Sequence, residues 1–546
     1  MRKTAEHRDK TYKSANGIIK NGFVGGIIIL TVSNLLVKVT GLLFKIPMNY
    51  IMGDTGMGYY NSAYSIYTLF YMLSTSGLPV AISVTVSEKR AQGKIGSAKK
   101  VFHLALAVFA AIGLLAFVLM FFASGKLALL ISSELSAMSV SAAAPTILFV
   151  CVSGAYRGYF QGCGNMMPTA VSQLIEAMGK LLIGIACALY AIRMGAEIHV
   201  VAAYAVFGLT AGSFVGMLYL IITGFVRGDR DLVTEHEIDY TSDKTGSIFR
   251  RFLAISIPVT LSASVMSLTN TLDTAMIQRI LILSGMTAEE ATAAYGNYTS
   301  LAVPLFNLPP VLIYPIASIG VMLPAASFGG IKDSIVGAFE AAKEKITMSL
   351  RYALIIGLPC AMGLSALSDP ILCLLYNDTS AHAAAMLLTL LAPSSLLVCI
   401  LAITNSVLQG CGKEKMPVIS MLVGGGVKLL SGMLLIKLYG ISGAPMSTFL
   451  CYLTVTVMNL AFTVRYTKVH LTPGMLYKPL LSAVVCSLSA VLVNSILKPV
   501  LGSSPACVSS VLVAAVVYLT MLILLGEVSL TDIKNIIKSK SKIKEK

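Results

Sequence analysis

The stretch FQGCGNMMPTAVSQLIEAMGKLL, residues 160–182, returns in altered form as LQGCGKEKMPVISMLVGGGVKLL at residues 408–430. Both copies place a Gln-Gly-Cys-Gly turn after an apolar run, then a Met-Pro pair, then Lys-Leu-Leu inside the next apolar run. A second, weaker match joins Tyr59-x-Asn61 to Tyr295-x-Asn297. Because glycines and prolines take part in these matches, they favour an internal duplication over chance similarity among apolar helices.

The composition predicts an all-α polytopic membrane protein. Of 546 residues, 56% are hydrophobic and 12% are charged, and the mean hydropathy is +0.82, far more apolar than a soluble domain. Apolar runs recur at the length of about 20 residues that a helix needs to cross the hydrocarbon core. We place fourteen transmembrane helices along the chain, the first at 22–50 and the last at 506–526.

The net charge of +16 is explained by membrane topology rather than by nucleic-acid binding. When the amino terminus is placed in the cytosol, almost all Lys and Arg residues fall in cytosolic segments. The opposite loops hold little beyond Lys126, Arg193 and Lys498. This asymmetry follows the positive-inside rule and predicts a multi-pass protein with both termini in the cytosol.

Each repeat holds six predicted helices, an even number, so both repeats begin on the same side and are parallel. The predicted fold is two parallel six-helix lobes plus two C-terminal helices. The predicted divisions are an N-lobe at 1–226, a cytosolic linker at 227–250, a C-lobe at 251–470, and a final pair of helices with a basic tail at 471–546.

The repeated Gln-Gly-Cys-Gly motif has a structural interpretation. Its glycines permit a tight turn at the end of one helix, and the following proline suits the start of the next. We therefore predict a hairpin tip, not a phosphate-binding loop. The ten cysteines show neither disulfide nor metal-ligand spacing, so we expect no metal site.

Ionisable side chains inside the predicted helices are the candidate functional residues. Such groups are costly in hydrocarbon and usually face an interior cavity. The candidates for a substrate-binding cavity are Lys38, Lys45, Glu176, Lys180, Asp273, Arg279 and Lys428.

The spacing of Glu176 and Lys180 puts them on one helix face. The second repeat keeps the lysine as Lys428 but has Gly424 in place of the acid. Two interpretations stay open for Glu176 and Lys180: an ion pair that locks helix packing, or the lining of a polar cavity. An excess of lysines in a cavity favours an anionic substrate such as a pyrophosphate. Asp273 is compatible with an ion, a proton or a lysine partner.

Prolines mark two candidate hinges. Pro79 interrupts the tyrosine-rich second predicted helix, and a proline cluster interrupts the eighth. Proline removes a backbone donor and kinks a helix, so a gating hinge and a fixed bend are both compatible with the pattern. The candidate hinge residues are Pro79, Asn307, Pro309, Pro310 and Pro315.

Two segments carry a resemblance to a known family. They are RGYFQGxxNMMPTAxSQxxE at 157–176 and LSTxGxPxAxS at 73–83. The chain resembles the multidrug/oligosaccharidyl-lipid/polysaccharide (MOP) exporter superfamily, in its branch of stage V sporulation protein B and MurJ-type lipid II flippases. The resemblance implies a V-shaped pair of lobes and alternating access. It also implies export of undecaprenyl-pyrophosphate-linked sugars across a bacterial cytoplasmic membrane. Lys38 and Gly41 match the family's spacing of a cavity-lining basic residue and a glycine.

The leading hypothesis is a flippase for a lipid-linked sugar, with lipid II as the first choice. Alternatives are a flippase for teichoic-acid, capsule or spore-cortex units, a drug antiporter, and a non-transporting cell-wall scaffold. An enzyme is disfavoured because the outer loops are short and lack paired catalytic carboxylates. No phosphate-binding loop for ATP appears, and no cofactor is expected. Na⁺, H⁺ or the membrane potential remain as energy sources, although no acids resembling the family's sodium site occur in the eleventh helix. Expected partners are the lipid-linked anion, membrane lipids and cell-wall synthesis enzymes.

Overall fold

The computed structural model describes residues 2–75, 77–227, 245–313, 335–376, 378–413, 415–469 and 474–527. Within these ranges every regular element is a helix, so the all-α prediction is confirmed there. The helices of the first half are α1 (Arg2–Thr75), α2 (Leu78–Ala91), α3 (Ile95–Phe122), α4 (Ser124–Leu130), α5 (Ala137–Gly162), α6 (Met167–Arg193), α7 (Ile198–Arg227) and α8 (Thr245–Leu283). α1 consists of two helical arms that meet at Gly53, whose backbone is not helical.

The second half continues with shorter elements around the proline cluster. Its helices are α9 (Ala288–Asn297), a π-helical turn at Tyr298–Ala302, α10 (Val303–Phe306), α11 (308–313), α12 (Ile335–Ala366), α13 (Ser368–Leu375), α14 (Asp378–Leu391), α15 (Pro393–Gly410), α16 (Lys415–Tyr439), α17 (Gly443–Thr467), α18 (Gly474–Leu501) and α19 (Ser503–Leu524).

Ten helical segments in the described part of the chain are long and apolar enough to span a membrane. The count of fourteen and the arrangement in two lobes stay predictions. The chain packs as two compact units. The first contains the described residues up to Arg279 together with Ala288–Ala293, and the second contains Ile280–Thr287 and the described residues from Ala294 onward. The predicted lobe boundaries are untested, and most of the predicted linker lies outside the described residues.

The first unit is built around α1, α5, α6 and α7. Phe44, Tyr60, Phe109 and Phe160 are buried in one continuous core. Helices α6 and α7 lie unusually close together, because a Cβ added at Gly212 of α7 would be 2.6 Å from the backbone oxygen of Glu176. This close approach brings polar groups of the two helices within hydrogen-bond distance of each other.

Both copies of the Gln-Gly-Cys-Gly motif form the same helix-ending turn. Gly164 has φ +82° and Gly412 has φ +69°, left-handed values that favour glycine. In the first copy the backbone N–H of Asn165 donates to the carbonyl of Phe160, and in the second that of Lys413 donates to Leu408, both at 2.9 Å. This is the Schellman pattern of a helix C-terminus. The predicted hairpin tip is confirmed.

A side chain at Gly164 is therefore expected to destabilise the protein. Gly164→Val places a branched residue in the left-handed region and should lower the free energy of unfolding by about 1–2 kcal/mol. The matched control is Gly426→Ala in the middle of α16, where an added Cβ meets no atom within 4 Å. That change should be neutral or stabilising, because alanine favours a helix. Thermal unfolding in detergent is the measurement, and an unchanged Gly164→Val protein would contradict the assigned turn.

In the second unit an ion-pair cluster joins three helices at one end. The Arg351 guanidinium of α12 donates to the Glu527 carboxylate at 2.7 Å and to the Glu527 backbone oxygen at 2.9 Å. Lys478 of α18 lies 3.6 Å from the other carboxylate oxygen. Because the Glu527 side chain is only 5% exposed, its charge is compensated by both basic groups. The cluster fixes the end of α19 against α12 and α18.

Candidate functional site

A polar cavity of about 420 Å³ lies inside the first unit, between α1, α5, α6 and α7. Its charged lining consists of Lys38 from α1, Arg157 from α5, and Glu176 and Lys180 from α6. A membrane-embedded helix bundle buries charged groups only where they find partners or water. This cavity therefore brings together three of the seven ionisable candidates, Lys38, Glu176 and Lys180, with Arg157.

Glu176 is held by residues of two neighbouring helices. Its carboxylate accepts a 2.8 Å hydrogen bond from Arg157 Nη2 and another of 2.8 Å from the Ser213 hydroxyl of α7. Arg157 Nε donates to the Ser172 hydroxyl at 3.0 Å. The side chains of Arg157 and Glu176 are 10% and 19% exposed, so this is a largely buried, hydrogen-bonded ion pair. The local Glu176–Lys180 ion pair considered from the spacing is replaced by this interhelical pair.

Lys180 instead faces aromatic rings. Its ammonium nitrogen lies 5.0 Å from the ring centre of Phe44, 5.5 Å from that of Tyr60 and 4.8 Å from that of Tyr64. Distances below about 6 Å are those of cation–π contacts. The rings carry no formal charge, so they hold the ammonium group in place without adding a negative charge to the cavity lining.

The lining has an excess of positive charge. Three basic side chains, Lys38, Arg157 and Lys180, share the cavity with one carboxylate, Glu176. Glu176 makes its ion pair with Arg157, and the formal charges of these four side chains sum to +2. The arrangement is suited to binding an anion with about two negative charges, in which each ammonium acts as a point-charge donor.

Tyrosines of α1 form one wall of the cavity. Tyr64, Tyr67 and Tyr71 line it, and their neighbouring ring centres are 5.6 and 5.8 Å apart. Residues three and four positions apart share a helix face, so the row follows the helix axis. The rings both pack against each other and present polar edges to the cavity.

Four of the predicted cavity residues are not part of this lining. Lys45 is half-buried on α1, Asp273 is buried in α8 and Arg279 is exposed near the end of α8. Lys428 is buried in α16 of the second unit, at 8% exposure. None of these four is among the residues that line the described cavity. Their assignment to substrate binding stays a prediction.

The candidate hinges coincide with breaks in helices. Pro79 lies in the first turn of α2, directly after the predicted break. The Asn307 amide donates to the Val303 carbonyl at 2.8 Å at the end of α10, and Pro309 and Pro310 are buried in α11. Pro315 lies outside the described residues. The breaks are real, and a role in gating stays a prediction.

Sequence reasoning did not single out Arg157, although it lies in the quoted family motif. A signal was present in the duplication: Arg157 and Glu176 correspond to Asn405 and Gly424 in the second repeat. The two charges are thus present together in one repeat and absent together in the other, as expected for residues that pair. In the second unit Asn405 accepts a 2.6 Å hydrogen bond from the Asn459 amide instead.

The fold and this site define a multi-pass membrane transporter with a charged internal cavity. The chain belongs to the polysaccharide biosynthesis protein family, whose model matches residues 23–328, more than half of its length. A second family model, MatE, matches residues 258–434.

Curated relatives and solved structures agree with this assignment. The chain is 24% identical to "Lipid II flippase MurJ" of Bacillus subtilis over 442 residues, covering 78% of this chain and 80% of that protein. It is 25% identical to "Stage V sporulation protein B" of the same organism over 448 residues, covering 81% and 83%. A solved "Lipid II flippase MurJ, inward closed conformation" matches with a TM-score of 0.68 at 16% identity, covering 91% of this chain and 98% of that one. The resemblance seen in the sequence motifs is confirmed.

Proposed function

We propose that this protein is a flippase that moves undecaprenyl-pyrophosphate-linked sugars, lipid II first among them, from the inner to the outer leaflet of the bacterial cytoplasmic membrane. The observation that carries the proposal is the composition of the charged lining in the cavity of the first unit, where three basic side chains face one carboxylate. The similarity to a protein named as a lipid II flippase supports the choice of substrate.

The cavity offers complementary groups to each part of such a headgroup. The two lysine ammonium groups match the diphosphate, and electrostatic attraction between unlike charges is strong at a site with little water. The tyrosine row offers ring faces to sugars, and the buried Gln173 side-chain oxygen makes no hydrogen bond within the described part of the chain. That oxygen would accept a hydrogen bond from a sugar hydroxyl.

An inside-negative membrane potential supplies a driving force for outward movement of an anion. It contributes roughly 2.3 kcal/mol per charge at about 100 mV. We propose this potential as the simplest energy source, with Na⁺ or H⁺ coupling as the alternatives. No covalent step is required, so the protein acts as a transporter and not as an enzyme.

The charge of the cavity distinguishes some of the alternative functions but not others. Teichoic-acid, capsule and spore-cortex units share the polyprenyl diphosphate, so the cavity serves them equally well by charge. A cationic drug would be repelled by Lys38 and Lys180, which disfavours the antiporter. A non-transporting scaffold gives no reason for a cavity with excess charge.

The decisive experiment uses the purified full chain in vesicles that carry lipid II in one leaflet, then other undecaprenyl-diphosphate sugars. Transfer of lipid II to the opposite leaflet, dependent on the protein, is expected. If only the other undecaprenyl-diphosphate sugars are transferred, one of them and not lipid II is the substrate. If no lipid is transferred, the flippase proposal is wrong. A membrane potential that is negative on the side where lipid II starts should accelerate its transfer.

Lys38→Ala is expected to reduce lipid II transfer by at least about tenfold, because one of the three positive charges of the cavity lining is lost. The matched control is Lys437→Ala, an exposed lysine in the last turn of α16, which should transfer at the wild-type rate. Complementation of cells depleted of their lipid II flippase is the second measurement. Equal activity of both variants would contradict a role for Lys38 in the cavity.

A further inference from the structure

Three potential metal ligands meet on two short helices of the second unit. Asp369 and Cys373 lie on α13, and His382 lies on α14. Their ligand atoms all lie within 4.8 Å of one another. The Asp369 and Cys373 side chains share a helix face because they are four residues apart.

One carboxylate oxygen is the centre of the cluster. Asp369 Oδ1 lies 2.5 Å from His382 Nδ1 and 3.9 Å from Cys373 Sγ. The imidazole N–H and the thiol S–H therefore converge on the same oxygen atom. A divalent cation can take the place of these protons, since sulfur, nitrogen and oxygen would then surround it on three sides.

The two helices hold the ligands at fixed positions. Leu372 of α13 and Ala384 of α14 are fully buried. The Ser368 hydroxyl lies 2.7 Å from the Thr389 hydroxyl, which ties the start of α13 to α14. The His382 side chain is 60% exposed and that of Asp369 is 36% exposed, so an ion has access from solvent.

We propose that Asp369, Cys373 and His382 form a metal site, with Zn²⁺ as the preferred ion. Zn²⁺ takes thiolate, imidazole and carboxylate ligands in tetrahedral geometry, and three protein ligands leave the fourth position to water. On binding, the thiol proton of Cys373 passes to solvent and His382 binds as the neutral imidazole. Two ligand atoms that each bond a tetrahedral Zn²⁺ at about 2.0–2.1 Å lie about 3.3 Å apart. The distance between Asp369 Oδ1 and His382 Nδ1, now 2.5 Å, would therefore increase by less than about 1 Å on binding.

The geometry does not suit a nucleophilic triad. In such a triad the histidine lies against the thiol and the acid lies behind the histidine. Here the carboxylate lies between the two other groups. Burial raises the pKa of the Cys373 thiol, and the charges of Asp369 and Asp378 raise it further, against an opposing effect of Lys498. These effects favour the protonated thiol when no ion is bound.

The proposal goes beyond the transport function, and its test does not depend on transport. The purified full chain in detergent is titrated with Zn²⁺, and with Co²⁺ as a spectroscopic probe. One equivalent of metal should bind to the wild type, and the Co²⁺ form should show thiolate-to-metal charge-transfer absorption. Cys373→Ser should abolish this absorption, whereas the control Cys411→Ser, at the turn after α15, should keep it.

Further variants separate a metal site from a simple contact between helices. Asp369→Asn and His382→Gln should each weaken Zn²⁺ binding by more than about tenfold, given that even groups supporting the ligands have effects of that size. Zn²⁺ should raise the unfolding temperature of the wild type and not that of Cys373→Ser. Absence of stoichiometric binding, or a charge-transfer band that persists in Cys373→Ser, would overturn the proposal. The cluster would then be a hydrogen-bonded contact between α13 and α14.

Discussion

Lys180→Glu is expected to abolish lipid II transfer, the largest effect of any single change that we predict. The substitution removes one of the three positive charges of the lining and adds a second negative one, so the formal charge of the cavity lining becomes zero. At an effective dielectric constant near 20, one charge about 6 Å from a phosphate oxygen contributes roughly 3 kcal/mol. Reversing its sign therefore costs roughly twice that amount, and transfer should fall by more than about a hundredfold.

Lys180→Met is the matched control for that change. Methionine keeps an unbranched apolar side chain against Phe44, Tyr60 and Tyr64, so the packing of the rings is preserved and only the charge is lost. Its transfer rate should lie between those of the wild type and of Lys180→Glu, with a normal unfolding temperature. Wild-type transfer by a well-folded Lys180→Glu protein would show that the substrate does not encounter this charge.

Arg157→Asn is expected to have the largest effect on stability. It leaves Glu176 as a largely buried carboxylate without its cation, which costs on the order of 3 kcal/mol. The double variant Arg157→Asn/Glu176→Gln should recover more than half of that loss, because both charges are then absent, as they are at Asn405 and Gly424 of the second repeat. The free energy of unfolding of the two single variants and the double variant forms the measurement.

The double-mutant cycle separates a direct pair from two independent contributions. A coupling of more than about 1 kcal/mol between the two positions is expected for residues in contact. If the double variant is destabilised by the sum of the single effects, the Arg157–Glu176 pair does not stabilise this unit. Expression level serves as a control that each variant reaches the membrane.

Local features of this fold could be predicted because their cause lies in adjacent residues. The turns at Gly164 and Gly412 depend on the position of glycine after a helix, which the sequence displays directly. The cavity position of Lys38 and Lys180 followed from the cost of charge in hydrocarbon. The same reasoning could not separate them from Lys45, because Lys38 and Lys45 are seven residues apart and share one face of the helix, so only the position along α1 distinguishes them.

The contacts between helices could not be predicted from the sequence patterns. The partner of Glu176 is Arg157, 19 residues away on another helix, whereas the i,i+4 spacing pointed to Lys180. The three rings around Lys180 come from α1, far earlier in the chain: Phe44 precedes the non-helical Gly53, and Tyr60 and Tyr64 follow it. The Asp369–Cys373–His382 cluster was missed because its ligands come from two short helices and match no metal-binding spacing.

The most direct measurement of the central claim is the affinity of the purified protein for two otherwise identical polyprenyl sugars. One carries the natural diphosphate, and the other carries an uncharged linker. We predict at least about tenfold tighter binding of the diphosphate, and loss of that preference in the Lys38→Ala/Lys180→Met double variant. Equal binding of the two lipids by the wild type would contradict an anion-binding cavity in the first unit.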